Sequence, residues 1–202
     1  MDENLVSLLK SGGIAVIPTD TIYGIVGSAL IPGTVEKIYR LRKRATNKPM
    51  IILISNLNDL NHFNIKLTDT QKEFLQKIWP NPVSMILPVN GDKFQHLHRD
   101  TKSLAFRIPK DKNLLELLKE TGPLVAPSAN FAGGKPSETI DEAKKYFNDK
   151  VDFYIDGGQI IAKPSTLIQF TDKSVKILRA GNNNFVSKIK QECSKLGFEF
   201  DP

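Results

Sequence analysis

Short apolar runs recur along most of the chain and predict the strands of a sheet. Five of them have the length and composition of buried strands, at 14–17, 50–54, 83–89, 104–108 and 124–126. Further strands are expected near 153–155, 166–170 and 175–178. The turn at 171–174 joins the last two so closely that these strands must be antiparallel.

Helical patterns separate most of these strands. Helix starts are predicted at Pro32 and at the capping-box patterns 68–71 and 139–142, and further helices at 114–118, stopped by Gly122-Pro123, and at 185–196. The basic run 40–44 is expected in the last turn of the helix that starts at Pro32, where cations favour the helix dipole. The polar stretch 90–103 has no period and is expected to be a long loop or hairpin connection.

Together these patterns predict an α/β (α+β) fold. Helices should flank a twisted sheet that mixes parallel and antiparallel strands, because helices separate most strands while the last pair forms a hairpin. No internal repeat or low-complexity linker interrupts the chain. We therefore expect a single domain over residues 1–202, with 182–202 forming a C-terminal helix and tail.

Composition narrows the class of protein. The chain has 202 residues, of which 40% are hydrophobic and 25% charged, enough for a full core. No apolar run approaches membrane-spanning length and no signal-peptide order is present, so a cytoplasmic protein without membrane contact is expected. The single cysteine, Cys193, excludes an internal disulfide and lies on an apolar helical position where burial is expected.

The net charge points to a phosphate-bearing partner. The chain carries a formal charge of +6 and has a pI near 9.3, which suits either a nucleotide or a nucleic-acid backbone. The densest basic cluster is the run 40–44, with Lys48 beyond it. Such a cluster is also typical of a solvated helix end, so charge alone does not choose between these readings.

Polar loops at predicted strand ends are the candidates for chemistry. They are 19–24, 128–130 with Gly133-Gly134 behind it, 156–158 and 163–166. Their hydroxyls and exposed backbone N–H groups can hold phosphate, carboxylate or ribose. The segment 18–24 reads equally well as an ordinary turn whose side chains cap the backbone. Arg107 and Arg179 adjoin these loops, and each could bind an anionic ligand or form a structural salt bridge.

Familiar nucleotide and metal motifs do not appear in the sequence. There is neither a P-loop nor a Rossmann glycine fingerprint, and no Ser/His/Asp triad is legible. His96 and His98 lack a nearby third ligand, so a metal site there is disfavoured. Asp20 and Asp156 could hold a magnesium ion that accompanies a nucleotide, although aspartate is also common in turns.

Several short motifs, in their order and spacing, resemble those of the YrdC-like threonylcarbamoyl-AMP synthase family in its short form. They are Pro18-Thr-Asp-Thr-Ile-Tyr-Gly24, Arg42-Lys-Arg44 with Lys48-Pro49, Trp79-Pro-Asn-Pro82, Phe106-Arg-Ile-Pro109, Ala126-Pro-Ser-Ala-Asn130, Asp156-Gly-Gly158, Pro164-Ser-Thr166 and Leu178-Arg179-Ala-Gly181. The resemblance covers about residues 10–181.

The resemblance implies a YrdC-like domain with a basic concave cleft and a nucleotidyltransferase activity. Such an enzyme condenses L-threonine, bicarbonate and ATP to threonylcarbamoyl-AMP and pyrophosphate. The product serves the modification of adenosine 37 in tRNAs that read ANN codons. Magnesium is implied only as the companion of ATP, without a protein metal cage or organic cofactor. The resemblance implies that the protein binds tRNA directly or acts on it through the downstream threonylcarbamoyl-transferase complex.

The resemblance also assigns site residues. It implies catalytic roles for Arg44, Lys48 and Arg107. It implies a threonine site at Thr21, Leu53, Arg107, Ala126 and Ser165. It implies an ATP site at Arg42, Arg44, Lys48, Ser103, Ser128, Asn130, Ser137 and Arg179.

The chain departs from the family pattern at a few of these positions. Arg42 replaces a usual lysine, and Leu53 replaces a frequent polar residue. The segment 133–135 looks one residue longer than usual, which affects the register of Ser137.

Other functions remain open at the level of sequence. The main alternative is a nonenzymatic module of the same fold that binds double-stranded RNA or tRNA. A carbamoyl-transfer role in hydrogenase maturation would need cysteine-rich zinc modules, which one cysteine cannot supply. A paralogous branch without the Ser-Ala-Asn motif is disfavoured by residues 128–130.

Overall fold

The computed structural model describes residues 2–171 and 173–202. The helices are α1 Glu3–Lys10, α2 Pro32–Leu41, α3 Asp69–Ile78, α4 Gln95–His98, α5 Lys112–Thr121, α6 Ile140–Phe147 and α7 Asn183–Leu196, with 3-10 turns at Leu57–Phe63 and Asn148–Lys150. The strands are β1 Ala15–Pro18, β2 Tyr23–Ser28, β3 Ile51–Leu53, β4 Val83–Pro88, β5 Ser103–Arg107, β6 Leu124–Val125, β7 Phe153–Tyr154, β8 Thr166–Phe170, β9 Ser174–Arg179 and β10 Glu199–Asp201.

The strands form one mixed sheet, which confirms the predicted fold class. Its order is β10-β9-β8-β4-β5-β3-β6-β2-β1-β7. The pairs β1/β7, β3/β5, β4/β8 and β9/β10 are parallel, whereas β1/β2, β2/β6, β3/β6, β4/β5 and β8/β9 are antiparallel. The predicted antiparallel arrangement of 166–170 and 175–178 is therefore confirmed.

Helices cover the central part of the sheet, where β1, β2, β3, β5 and β6 are buried on both faces, whereas β9 and β10 keep exposed residues. Along the first strand, Val16 belongs to a large apolar cluster together with α2, α3 and α7, while Ala15 and Ile17 belong to a smaller cluster with α1 and α5. Successive strand residues point to opposite faces, so this alternation places one cluster on each side of the sheet. A sheet buried on both faces explains why the predicted strands read as continuous apolar runs.

The sequence pattern did not predict α1, β2 or β10, nor the short helix α4 and the two 3-10 turns. Helix α1 begins after Asp2, whose carboxylate accepts the backbone N–H of Asn4 at 2.9 Å. Strand β2 was not predicted because its two glycines interrupt the apolar run, yet every one of its residues is buried. Strand β10 is only three residues long. Because β2 pairs with β1, residues 19–22 of the polar segment form the turn of a hairpin, and Pro18, Tyr23 and Gly24 belong to its strands.

The predicted position of the basic run was wrong. Helix α2 ends at Leu41, and Arg42 is its C-cap, so only Arg40 lies in the last helical turn. The next residue, Lys43, has a φ of 50°, in the left-handed region that ends a helix. Arg42 and Arg44 therefore lie beyond the helix, and both line a cavity.

The predicted helix caps are only partly as expected. Thr68 and Gln71 form the full reciprocal box, with bonds of 3.2 and 3.1 Å. Thr139 accepts the N–H of Glu142 at 3.3 Å, but the Glu142 carboxylate bonds the N–H of Glu138 instead of returning to Thr139. The second capping box is therefore half formed, because the carboxylate reaches one residue further back.

The connections match the sequence in outline. The stretch 90–103 joins the antiparallel strands β4 and β5, as one of the expected alternatives, and contains the short helix α4. The turn predicted at 171–174 includes residue 172, which lies outside the described residues.

Cys193 is buried, as predicted, and burial raises the pKa of its thiol to about 11. Among the described residues, no helix combines the length and the hydropathy needed to cross a membrane.

Candidate active site

Segments from distant parts of the chain enclose an open cavity of about 650 Å³. Its walls come from the hairpin turn after β1, the segment that follows α2, Ile86 of β4 and most of β5, the loop after β6, and the start of β8 with the end of β9. Most of these walls are loops held at strand ends, which is where open sheets commonly place their ligands.

The structure brings most of the sequence-predicted site residues to this cavity. Lining it are Thr21, Arg42, Arg44, Lys48, Ser103, Arg107, Ala126, Ser128, Asn130, Ser165 and Arg179. Leu53 and Ser137 are not among the lining residues. Leu53 is fully buried in the smaller apolar cluster, and Ser137 is buried with its hydroxyl donating to the carbonyl of Ala129. The roles of all these residues toward a ligand remain predictions.

Cations dominate the charge of the cavity wall. The charged side chains that line it are Arg42, Arg44, Lys48, Arg107 and Arg179, with no aspartate or glutamate among the described lining residues. Cations gathered in a cavity with partly apolar walls raise the local concentration of anions. The wall therefore suits an anionic ligand.

Arg107, the last residue of β5, is held from two sides. Its Nη2 lies 3.0 Å from Oδ1 of Asp20, and its Nη1 donates to Oγ1 of Thr21 at 3.2 Å. Burial lowers the pKa of Arg107, Asp20 opposes that shift, and the nearby charge of Arg179 adds to it. Arg107 therefore has a structural ion pair, as one sequence reading proposed, and still lines the cavity as the other proposed.

The hairpin turn uses some of its polar groups internally and turns Thr21 toward the cavity. The Thr19 hydroxyl donates to the carbonyl of Ile22 at 2.6 Å and lies 3.1 Å from the Thr21 hydroxyl. Since the Thr19 proton is engaged, Thr21 is the donor in that contact. Thr21 also accepts from Arg107, so it offers the cavity an oxygen lone pair and not a proton.

Arg42 braces the loop after β6. Its Nε donates to the carbonyl of Asn130 and its Nη2 to the Ser128 hydroxyl, both at 3.1 Å. The Asn130 amide in turn donates to the carbonyls of Phe131 and Gly134. Burial, helped by the like charge of Arg44, lowers the pKa of Arg42 to about 10. Its Nη1 is buried, and the two N–H groups of that nitrogen have no partner among the described residues.

Arg44 closes the short loop that carries Lys48. Its Nε donates to the carbonyl of Lys48 and its Nη2 to the carbonyl of Pro49, both at 2.9 Å. The phenol of Tyr39, on α2, donates to the same Lys48 carbonyl. The Lys48 side chain is left exposed at the mouth of the cavity. The hydrogen bonds from Arg44 and Tyr39 therefore fix the backbone of the loop from which the Lys48 side chain extends.

Ser165 is fixed by groups from two strands. Arg179 donates to the Ser165 carbonyl from Nη2 at 2.9 Å and from Nε at 3.2 Å. The Ser165 hydroxyl lies 2.9 Å from that of Ser84, which is fully buried in β4. Ser84 was not among the predicted site residues, although a single hydroxyl in an otherwise apolar strand could have indicated a polar contact there.

The loop 156–158 is the one predicted polar loop that stays away from the cavity wall. It wraps around the buried phenol of Tyr23, which donates to the carbonyl of Gly158 and accepts the N–H of Gly157, both at 2.8 Å. Asp156 accepts the N–H of Gly158. The motif therefore anchors the edge of the sheet, and Asp156 is engaged in the turn itself.

Gly181 is required for close packing beneath the cavity. A Cβ at this position would lie 2.5 Å from the carbonyl oxygen of Pro164 and 2.8 Å from the backbone nitrogen of Thr166. We expect Gly181→Ala to lower the free energy of unfolding by about 1–3 kcal/mol, because backbone atoms cannot move aside cheaply. Urea unfolding measures the change.

Gly33→Ala is the matched control for this prediction. Gly33 lies in the first turn of α2, and a Cβ there would meet nothing within 4 Å. The control should be neutral or slightly stabilising, since alanine favours the helix. Equal stability of the Gly181→Ala variant and the wild type would contradict the steric reading.

The described residues do not form a metal cage. No group of three or more His, Cys, Asp or Glu side chains that could hold a metal ion occurs in residues 2–171 and 173–202. His96 places its Nε2 3.1 Å from the carbonyl of Ala29, and burial lowers the pKa of its ring.

Comparisons with known proteins identify relatives over most of the chain. The family model for Sua5, yciO and yrdC, described as "Telomere recombination", matches residues 7–181. A Methanocaldococcus jannaschii protein, provisionally named a threonylcarbamoyl-AMP synthase, is 32% identical over 86% of this chain and 82% of its own length. The Bacillus subtilis protein named threonylcarbamoyl-AMP synthase is 30% identical over 87% of this chain.

The chain spans only part of some relatives. It covers 51% of the Bacillus subtilis protein. Among solved structures, that of Pyrococcus abyssi Sua5 complexed with L-threonine matches 98% of this chain and 58% of its own, with a TM-score of 0.87 and 24% identity. This last likeness concerns the fold.

Proposed function

Because the chain belongs to the Sua5, yciO and yrdC family, we propose that it is a threonylcarbamoyl-AMP synthase. The reaction condenses L-threonine, bicarbonate and ATP to threonylcarbamoyl-AMP, pyrophosphate and water. The observation that supports it best is the convergence of cationic and hydroxyl side chains from the separate family motifs on one cavity. All three substrates, and both threonylcarbamoyl-AMP and pyrophosphate, carry a carboxylate, carbonate or phosphate, which suits a wall rich in arginine and lysine.

The threonine end of the cavity is proposed to lie at Arg107. The free donors of the Arg107 guanidinium would bind the threonine carboxylate, with the Ser165 hydroxyl and Ala126 completing that wall. Thr21 offers a lone pair, so it would accept from a threonine N–H or O–H group. We leave Leu53 out of this proposal, because its side chain is enclosed in the smaller apolar cluster, which includes residues of α1 and α5.

The nucleotide end is proposed to lie at the opposite wall. Arg44 and Lys48 would face the triphosphate, with the unpaired Nη1 of Arg42 beside them. Ser103, Ser128, Asn130 and Arg179 line the cavity and can supply further donors. Ser137 would act indirectly, since its hydroxyl is engaged with the Ala129 carbonyl and holds the 128–130 loop.

The geometry favours catalysis by positioning and charge. The threonine amine would first bond to the carbon of bicarbonate, with loss of water, to give N-carboxythreonine. A carboxylate oxygen of this carbamate would then attack the α-phosphorus of ATP, forming the new O–P bond as the bond to the bridging α,β oxygen breaks and pyrophosphate leaves. Cations on the wall would neutralise the charge that develops on pyrophosphate. The attacking oxygen belongs to the substrate, so no covalent enzyme intermediate is needed. Magnesium would enter as part of Mg–ATP, bound by triphosphate oxygens, since the described cavity wall offers no carboxylate.

A direct assay tests the proposal. The protein is incubated with ATP, L-threonine and bicarbonate, and threonylcarbamoyl-AMP and pyrophosphate are followed by mass spectrometry and a phosphate assay. Both products should appear together, and omission of threonine or bicarbonate should abolish both. Tight tRNA binding without any adenylate formation would contradict the proposal and favour an RNA-binding module. Transfer to tRNA is tested by adding the downstream transferase complex to the active mixture.

A further inference from the structure

Asp20 contacts the proposed threonine site from behind. It does not line the cavity, yet its Oδ1 lies 3.0 Å from Nη2 of Arg107, and both side chains are almost completely buried, with exposed fractions of 7% and 5%. Its second oxygen, Oδ2, accepts the backbone N–H of Lys110 at 3.1 Å. One carboxylate therefore ties the hairpin turn both to the Arg107 side chain and to the backbone just after β5.

The donors of Arg107 show what this contact achieves. Nη2 faces Asp20, Nη1 donates to Thr21, and Nε is buried without a hydrogen-bond partner in the described part of the chain. A planar guanidinium that is contacted at both Nη1 and Nη2 is held in one orientation. Asp20 thus decides which edge of the guanidinium remains available to the cavity.

Charge gives the same contact a second role. Arg107 is 4% exposed, and the positive Arg179 lies near it, so the charged guanidinium is costly to keep in place. Asp20 supplies the compensating negative charge on the side away from the cavity. The pair can then hold a cation ready for an anionic ligand before that ligand arrives.

We infer that Asp20 is a positioning residue for the threonine carboxylate, acting through Arg107. The inference rests on the proposed function, because it names the partner that prepares the proposed carboxylate site. It also accounts for the aspartate of the 18–24 segment, which the sequence could interpret only as a turn residue or a weak magnesium ligand.

Asp20→Asn is the discriminating substitution. Asparagine has nearly the same shape, but its amide accepts at one end and donates at the other. In the wild type, Oδ2 accepts the Lys110 N–H, while Oδ1 faces the Arg107 guanidinium as a charge contact without a hydrogen bond. If the amide oxygen keeps the Lys110 bond, the amide NH2 must face the guanidinium, and the compensating charge is lost. We expect the Kd for L-threonine, measured by calorimetry, and the KM for threonine to rise at least tenfold. The KM for ATP should change less than twofold.

Asp152→Asn is the matched control. Asp152 also forms an ion pair, with Lys37 at 3.2 Å, and also accepts a backbone N–H, from Ile14 at 2.8 Å, but it does not line the cavity. Its replacement should leave the KM for threonine within twofold of the wild type. An equal rise in the KM values for threonine and ATP in the Asp20→Asn variant would indicate general damage and overturn the inference.

A double-mutant comparison separates positioning from simple stabilisation. In an Arg107→Ala background, Asp20→Asn should lower kcat/KM for threonine by less than a further twofold, because its target is gone. A full tenfold loss in that background would overturn the inference. So would tighter threonine binding by the single Asp20→Asn variant, because Asp20 would then compete with the substrate for Arg107.

The threonine Kd keeps this test separate from the proposed function. If the wild type binds threonine but forms no adenylate, the synthase proposal fails, and Asp20 is still judged by the change in Kd. If the wild type binds no threonine, the inference about Asp20 is overturned as well.

Discussion

Replacing Arg107 with alanine is expected to lower kcat/KM for L-threonine at least 100-fold, which corresponds to about 2.7 kcal/mol of transition-state stabilisation. The reason is that the buried guanidinium is the proposed partner of the threonine carboxylate and lies at the inner wall of the cavity. Steady-state assays of adenylate formation with varied threonine measure the loss. The KM for ATP should change far less.

Two companion variants make this result interpretable. Arg107→Ala also leaves Asp20 buried without its partner, so unfolding by urea must be measured alongside activity. Arg107→Lys keeps a charge but loses the planar fork, and we expect it to retain the fold while losing at least tenfold in kcat/KM. Arg40→Ala, an exposed cation on α2, should leave activity unchanged. Near-normal turnover in the Arg107→Ala variant would remove Arg107 from the site.

Replacing Arg42 with alanine is expected to raise the KM for ATP at least tenfold and to destabilise the protein by about 1–3 kcal/mol. Arg42 is 3% exposed and bonds the Asn130 carbonyl and the Ser128 hydroxyl. Its loss would leave these acceptors without their partner and release the loop that lines the nucleotide wall. ATP titrations of initial rate and urea unfolding measure the two effects.

Arg42→Lys separates charge from bracing. Lysine places the usual family residue at this position, but its compact ammonium cannot reproduce the spread of the guanidinium contacts. We expect it to recover most of the stability and only part of the ATP affinity. If the alanine variant binds ATP normally, the Arg42 contacts serve the fold alone.

The ordered motifs were sufficient to predict the family and the mixed sheet. Apolar runs predicted strands because a sheet covered on both faces needs continuous hydrophobic segments. The same rule explains the miss at β2, where glycines lower the apolar content of a strand that is completely buried. The end of α2 was misplaced because the left-handed turn at Lys43 has no distinctive residue type to announce it.

The sequence pattern does not predict which individual side chains line the cavity. Leu53 and Ser137 matched family positions, yet neither side chain lines the cavity. Ser84 belongs to none of the family motifs, yet its hydroxyl contacts that of Ser165. Which hydroxyl faces a ligand depends on strand register and on packing against neighbouring strands, and a motif does not record either.

The sequence by itself determined the family, the succession of helices and strands, and the residue types available for an anionic ligand. These follow from local periodicity and from short motifs, where each residue's neighbours in the chain suffice. Only the tertiary structure decided that Arg107 is held by Asp20 and that Arg42 braces the Asn130 loop. These partners are far apart along the chain, and their pairing depends on which strand ends the sheet brings together.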